Sequence, residues 1–245
     1  MTTHPYDRYE NSKNRAFGSK YMGNTNFMLN FKKDHLSGNF GLEAGLFFTH
    51  YSNGRFKSPN SGINTYGINL GVNYDFNSRP VYKPLDTVAY SMHYTEPIRY
   101  NIVFRTGVNE SQVIGSGQKP FYHLGVYADK RINRKSALQV GAELFVTTSI
   151  KEYIHYRSIA YPGNLDPDTD YKRIGVFIGH ELFINRLSIE TQLGYYAYRP
   201  FEFDTAIYDR LGMKYYWNKK IYSALAVKTH GFLAEALEFG VGVRL

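Results

Sequence analysis

Along almost the whole chain, apolar side chains recur at every second position in segments of about 10–14 residues. The residues between them are not those of a soluble strand's wet face. From Asn39 to Ser52, one face reads Phe40, Leu42, Ala44, Leu46, Phe48, His50 and Ser52; the other reads Gly41, Glu43, Gly45, Phe47, Thr49 and Tyr51. Successive side chains of a strand point to opposite faces, so this pattern builds a sheet with one continuous apolar surface and one of Gly, Glu and Thr. A sandwich buries its apolar face in a dry core; a membrane barrel turns it toward lipid and keeps the mixed face for its lumen. The length of the segments favours the second arrangement, because tilted membrane strands need about 9–11 residues.

Segments with this alternation fall near 22–34, 39–52, 63–76, 99–108, 120–131, 136–149, 172–184, 188–199, 207–217, 220–229 and 233–245, and no segment reads as a helix. The connections between them alternate in length. Those near 35–38, 132–135, 185–187 and 218–220 are short, and those near 53–62, 109–119, 150–171 and 200–206 are long, as periplasmic turns and extracellular loops are. The connections near 77–98 and 229–232 break the rule. The last segment alternates Leu237, Phe239, Val241, Val243 and Leu245 with Glu238, Gly240, Gly242 and Arg244, like the closing strand of an outer-membrane barrel.

The expectation is therefore an all-β protein: one antiparallel transmembrane β-barrel occupying residues 1–245, with residues 1–21 unassigned. Single-chain bacterial barrels have even strand numbers, so eleven visible segments predict about 12 strands, with N-terminal strand(s) and a signal peptide outside this chain. Glu43, Glu143 and Glu181, with Arg105 and Arg244, are expected to fill the lumen with ion pairs.

Composition agrees. Mean hydropathy is −0.42, and no run approaches the 18–20 apolar residues of a membrane helix. The 23 Tyr and 17 Phe suit the aromatic girdles of a barrel. The net charge of +8 is scattered, without the dense basic run of a nucleic-acid site, and fits a surface facing anionic lipid. The absence of Cys means only that no disulfide staples are used.

The polar residues that interrupt the apolar face carry the chemistry. His50 and Ser52 are two apart on one strand, so their side chains are neighbours, and an imidazole beside a hydroxyl can activate it as a nucleophile. Asn64 opens the next strand on the same face and can orient His50 through its amide. Asn53 or the backbone at Gly54 can supply oxyanion donors. Phe48 and Leu46 form an apolar track below the proposed nucleophile, and Arg55 and Lys57 stand above it, at the height where a lipid's phosphates would lie.

The segment HYSNGRFKSPNSGIN resembles the signature of the lipid A 3-O-deacylase family, also known as acyloxyacyl hydrolases: His-x-Ser-Asn-Ala/Gly, then Pro-Asn-x-Gly-Ile and an acid. The matching residues are His50, Ser52, Asn53, Gly54, Pro59, Asn60, Gly62 and Ile63. The family's third triad member is a Glu, where this chain has Asn64. His-x-Ser-Asn-Gly-Arg followed by Asn64 is also similar to outer-membrane phospholipase A, which uses a Ser-His-Asn triad on the outside of its barrel. The resemblance implies a serine esterase in the outer membrane of a Gram-negative bacterium, acting on lipopolysaccharide or phospholipid. No cofactor is implied, except Ca²⁺ if the phospholipase likeness extends that far. A non-catalytic porin or adhesin with a degenerate motif is the third reading. Nothing in the residues fixes the oligomeric state.

Weaker patterns read as structural. His180 and Glu181 lie on opposite faces of one strand; Asp166, Asp168 and Asp170 lack an ordered Ca²⁺-ligand pattern; Ile114-Gly115-Ser116-Gly117 is too short for a phosphate loop.

Overall fold

The computed structural model describes residues 1–76, 94, 96–231 and 233–245. It contains eleven strands: β1 (Gly23–Ser37), β2 (Phe40–Ser52), β3 (Ile63–Tyr74), β4 (Arg99–Glu110), β5 (Gln118–Arg131), β6 (Ser136–Thr147), β7 (Arg173–Ile184), β8 (Leu187–Tyr198), β9 (Ile207–Tyr216), β10 (Ile221–His230) and β11 (Leu233–Arg244). One helix, α1 (Thr148–Ala160), follows β6. The expected segments all appear as strands. The long connection near 77–98 lies mostly outside the described residues.

The strands do not form one barrel of about 12. β4 to β11 close an eight-stranded antiparallel meander, in which β11 returns to β4 with Val243 opposite Ile102 and Phe239 opposite Thr106. β1, β2 and β3 form a separate antiparallel sheet. Alternation sets which face a strand shows and not which strand it pairs with, so the antiparallel barrel is as expected while its strand count is eight and not about 12.

An eight-stranded barrel is just wide enough for side chains to fill it, and here charged ones do. Arg105 reaches Glu143 and Glu190, each at 3.0 Å; Arg210 reaches Glu143 and Glu238, each at 2.7 Å; Lys214 reaches Glu181 at 2.9 Å and Glu190 at 2.8 Å. These groups are fully buried, and each charge is opposed by another, the condition under which burial of charge is tolerable. Glu143, Glu181, Arg105 and Arg244 are thus lumen residues as expected, whereas Glu43 belongs to the separate sheet. The outer face presents Ile102, Phe104, Val126, Val140, Ile178 and Val241.

The short turns at 132–135, 185–186 and 217–220 lie at the barrel end that carries Leu245; the connections at 111–117, 148–172 and 199–206 lie at the other. α1 belongs to the second group and corrects the expectation of no helix. Its buried residues are Ser149, Ile150 and Ile154, a stripe only one residue wide, and Thr148 Oγ1 donates to the Pro120 carbonyl of β5. Among the described residues, no helix is long and apolar enough to cross a membrane.

The three-stranded sheet keeps the same two-faced character. Across it, Phe27 opposes Phe48, which in turn opposes Tyr66, and Leu29 opposes Leu46, which opposes Ile68. On the other face, Asn69 Nδ2 donates to Asn30 Oδ1 at 3.1 Å, passing over Gly45. A Cβ at Gly45 would lie 1.9 Å from Asn30 Oδ1, so only Gly permits this bridge.

Candidate active site

β2 ends in His50-Tyr51-Ser52, and β3 begins at Ile63-Asn64. Antiparallel register places His50 directly opposite Asn64, and Ser52 two residues further along β2. All three share the apolar face with Phe40, Leu42, Leu46 and Phe48, so the site is on the outer, exposed side of its sheet. That sheet is the β1–β3 sheet and not the closed barrel.

His50 Nδ1 is 2.6 Å from Asn64 Oδ1. An amide oxygen only accepts, so Nδ1 is the donor, and in the neutral imidazole Nε2 is the nitrogen with the lone pair. Ser52 Oγ accepts from the Gly54 N–H at 3.4 Å and makes no hydrogen bond to His50. The histidine–asparagine half of the constellation is thus assembled, and the serine–histidine half is not. Of the two oxyanion candidates, Asn53 has its donors engaged: its N–H bonds Asn60 Oδ1 at 2.8 Å, and its Nδ2 bonds the Lys57 carbonyl at 2.7 Å. Gly54 N–H makes only the 3.4 Å contact to Ser52 Oγ.

The loop between the strands is built around this end of the sheet. Gly62 has φ +69, and a Cβ there would lie 2.7 Å from the Tyr51 carbonyl and 2.9 Å from His50 Cε1. Gly at this place therefore meets both a backbone and a packing requirement. The N-terminal segment braces the loop, with Ser61 and Gly62 N–H donating to the carbonyls of Arg15 and Ala16 at 3.2 Å.

The opposite side of the loop docks on the barrel end remote from Leu245, through residues that spacing did not single out. Glu110, at the end of β4, is buried and meets no cation among the described residues. Its carboxylate accepts instead from three backbone N–H groups: Ser58 at 2.7 Å, Gly115 at 3.0 Å and Gly117 at 3.0 Å. Ser58 Oγ donates to the Ser111 carbonyl at 2.7 Å, and the Glu110 N–H to the Arg55 carbonyl at 3.1 Å. The Gly115–Gly117 loop thus wraps the chain's own carboxylate. The signal available beforehand was one acid at a strand end before a Gly-rich turn, with nothing to name its partner 52 residues away.

Arg55 and Lys57 separate. The Arg55 guanidinium lies 6.0 Å from the centre of the Phe203 ring and lines a small rim cavity with Glu110, Asp204 and Glu235. It faces the barrel, and so does not stand over Ser52 as expected. Lys57 is exposed. Burial and the neighbouring Glu235 push the Asp204 carboxyl above its usual range. Asp204, His230 and Glu235 have ligand atoms within 4.8 Å of one another. However, Glu235 is bonded to Arg173 and Lys228, so this cluster already holds its own cations. Asp166 and Asp170 instead accept local turn N–H bonds.

Comparison with curated proteins finds no match. Among solved structures, the chain is similar to the toluene transporter TodX of P. putida (10% identity, 91% of this chain and 67% of that one, TM-score 0.26). It is also similar to outer membrane phospholipase A of Escherichia coli (13% identity, 91% and 79%, TM-score 0.22) and to a mutant porin of Rh. blastica (11% identity, 91% and 89%, TM-score 0.21). These overlaps are loose. The family profiles are more specific. Residues 2–73 match the lipid A 3-O-deacylase (PagL) profile, and residues 98–245 match that of the acyloxyacyl hydrolase C-terminal domain. The second match covers more than half of the chain, and with the first it shows that the protein belongs to the lipid A 3-O-deacylase/acyloxyacyl hydrolase family of outer-membrane β-barrel lipid hydrolases.

Proposed function

We propose that this protein is an outer-membrane serine esterase that removes an ester-linked acyl chain from lipid A, with Ser52 as nucleophile, His50 as base and Asn64 as the group that orients His50. The observation that carries this reading is the 2.6 Å contact between His50 Nδ1 and Asn64 Oδ1, which in the neutral imidazole makes Nε2 the basic nitrogen, on the same face as Ser52.

In the reaction, Ser52 turns about its Cα–Cβ bond to engage Nε2. Its Oγ adds to the ester carbonyl while its proton passes to His50. The oxyanion takes the Gly54 N–H. The tetrahedral intermediate collapses, His50 returns the proton to the departing sugar oxygen, and the acyl group remains on Ser52. Water, deprotonated by His50, then releases the fatty acid and restores Ser52. The acyl chain runs along Phe48 and Leu46, and Lys57 holds a lipid A phosphate.

The second reading is a phospholipase A, and Asn64 favours it, since an amide third member is the phospholipase pattern. Purified protein incubated separately with lipopolysaccharide and with phospholipid vesicles distinguishes the two. Fatty acid released from lipopolysaccharide, and not from phospholipid, supports the deacylase; the reverse supports the phospholipase.

A further inference from the structure

The barrel end that carries Leu245 opens into a cavity of about 690 Å³ that plays no part in the chemistry above. Among the described residues, six cations line it, Arg99, Arg131, Arg186, Lys219, Lys220 and Arg244, against a single acidic side chain, Glu96. Glu96 is already shared, lying 2.9 Å from Arg244, 3.3 Å from Arg99 and 3.5 Å from Arg131. Arg186, Lys219 and Lys220 have no side-chain partner among the described residues. Like charges gathered around one volume repel, and an anion placed among them removes that cost.

The backbone that carries the two lysines is held in place. Asn218 Oδ1 accepts from the N–H groups of Lys220 at 2.8 Å and Ile221 at 2.9 Å, which fixes the turn carrying both lysines. The Arg131 guanidinium lies 3.4 Å from the centre of the Phe183 ring, and its Nε faces Glu96 Oε2 at 3.5 Å. Deeper in the barrel, Lys214, Glu181 and the rest of the buried ion pairs fill the lumen, so the cavity is blind and is not a path. Exposed Trp217, packed against Tyr215 at 5.0 Å, marks the girdle where barrel meets head groups. Lys219 and Lys220 lie just beyond it.

We propose that this cavity binds a phosphate group. Guanidinium forks and ammonium groups lining one cavity match a tetrahedral anion, and Trp217 beside them suits an interface with head groups. The phosphate belongs either to an anionic lipid head group or to a soluble phosphate, and this proposal is independent of the hydrolase reading.

The test uses the full chain in neutral detergent and the triple variant Arg186→Gln, Lys219→Gln, Lys220→Gln. These side chains hold nothing in place, so the variant keeps the heat-modifiable migration of a folded barrel. Native mass spectrometry reads retention of ether-linked phosphatidylglycerol, which no esterase cleaves, against diacylglycerol; calorimetry reads inorganic phosphate. The expected result is binding of at least one phosphate probe, weakened tenfold or more in the triple variant. Phosphatidylglycerol bound without inorganic phosphate assigns the site to a head group, and inorganic phosphate alone assigns it to a soluble anion. Failure of both probes to bind, or equal binding by a folded triple variant, overturns the proposal.

Discussion

The Glu110 carboxylate accepts the Ser58 N–H at 2.7 Å, which fastens the loop after Ser52 to a barrel strand 52 residues further along the chain. The closed barrel thereby sets the position of a site that it does not itself contain. Glu110→Ala leaves the buried Ser58 N–H without an acceptor, at a cost of roughly 1–3 kcal/mol, and hands the N–H groups of the exposed Gly115 and Gly117 to water. We expect the barrel to fold, the 53–62 loop to become protease-sensitive and hydrolysis to fall about tenfold or more. Limited proteolysis with an activity assay checks both.

Gly62 is the tightest constraint beside His50. Gly62→Ala places a methyl 2.9 Å from His50 Cε1 at a backbone φ of +69. The expected outcome is a folded protein, by its migration unheated, with most of its hydrolytic activity lost.

Asn64 orients His50 without charge. Asn64→Ala should lower kcat less than loss of Ser52 or His50 does. In Asn64→Glu a carboxylate favours the protonated imidazole, so the acid limb of the pH–rate profile moves to higher pH. An unchanged profile in Asn64→Glu argues against the contact at the working site.

Arg55 and Lys57 should behave differently, since one faces the barrel rim and the other solvent. Lys57→Ala should weaken activity on lipopolysaccharide and leave a short soluble ester unaffected. Arg55→Ala should lower both equally, because it loosens the loop against Phe203. Parallel assays on the two substrates separate these effects.

The strands were legible because lipid on one side and a polar interior on the other imprint a period of two on every segment. His50, Ser52 and Asn64 were legible because they interrupt the apolar face at local spacings. The return of β11 to β4 was not, since nothing in Val243 or Ile102 names the other. α1 was missed because Ile150 and Ile154 are a narrow stripe among Tyr, Lys and Arg. The direction of Arg55 is not legible in the sequence, because it follows from Glu110 and Phe203, remote in sequence and brought near only by the closed barrel.

The most direct measurement is fatty-acid release from lipopolysaccharide by the wild-type protein and by Ser52→Ala, with fold confirmed by heat-modifiable migration. The account predicts release by the wild type and none above background by a folded Ser52→Ala. Release that continues undiminished in Ser52→Ala would contradict it.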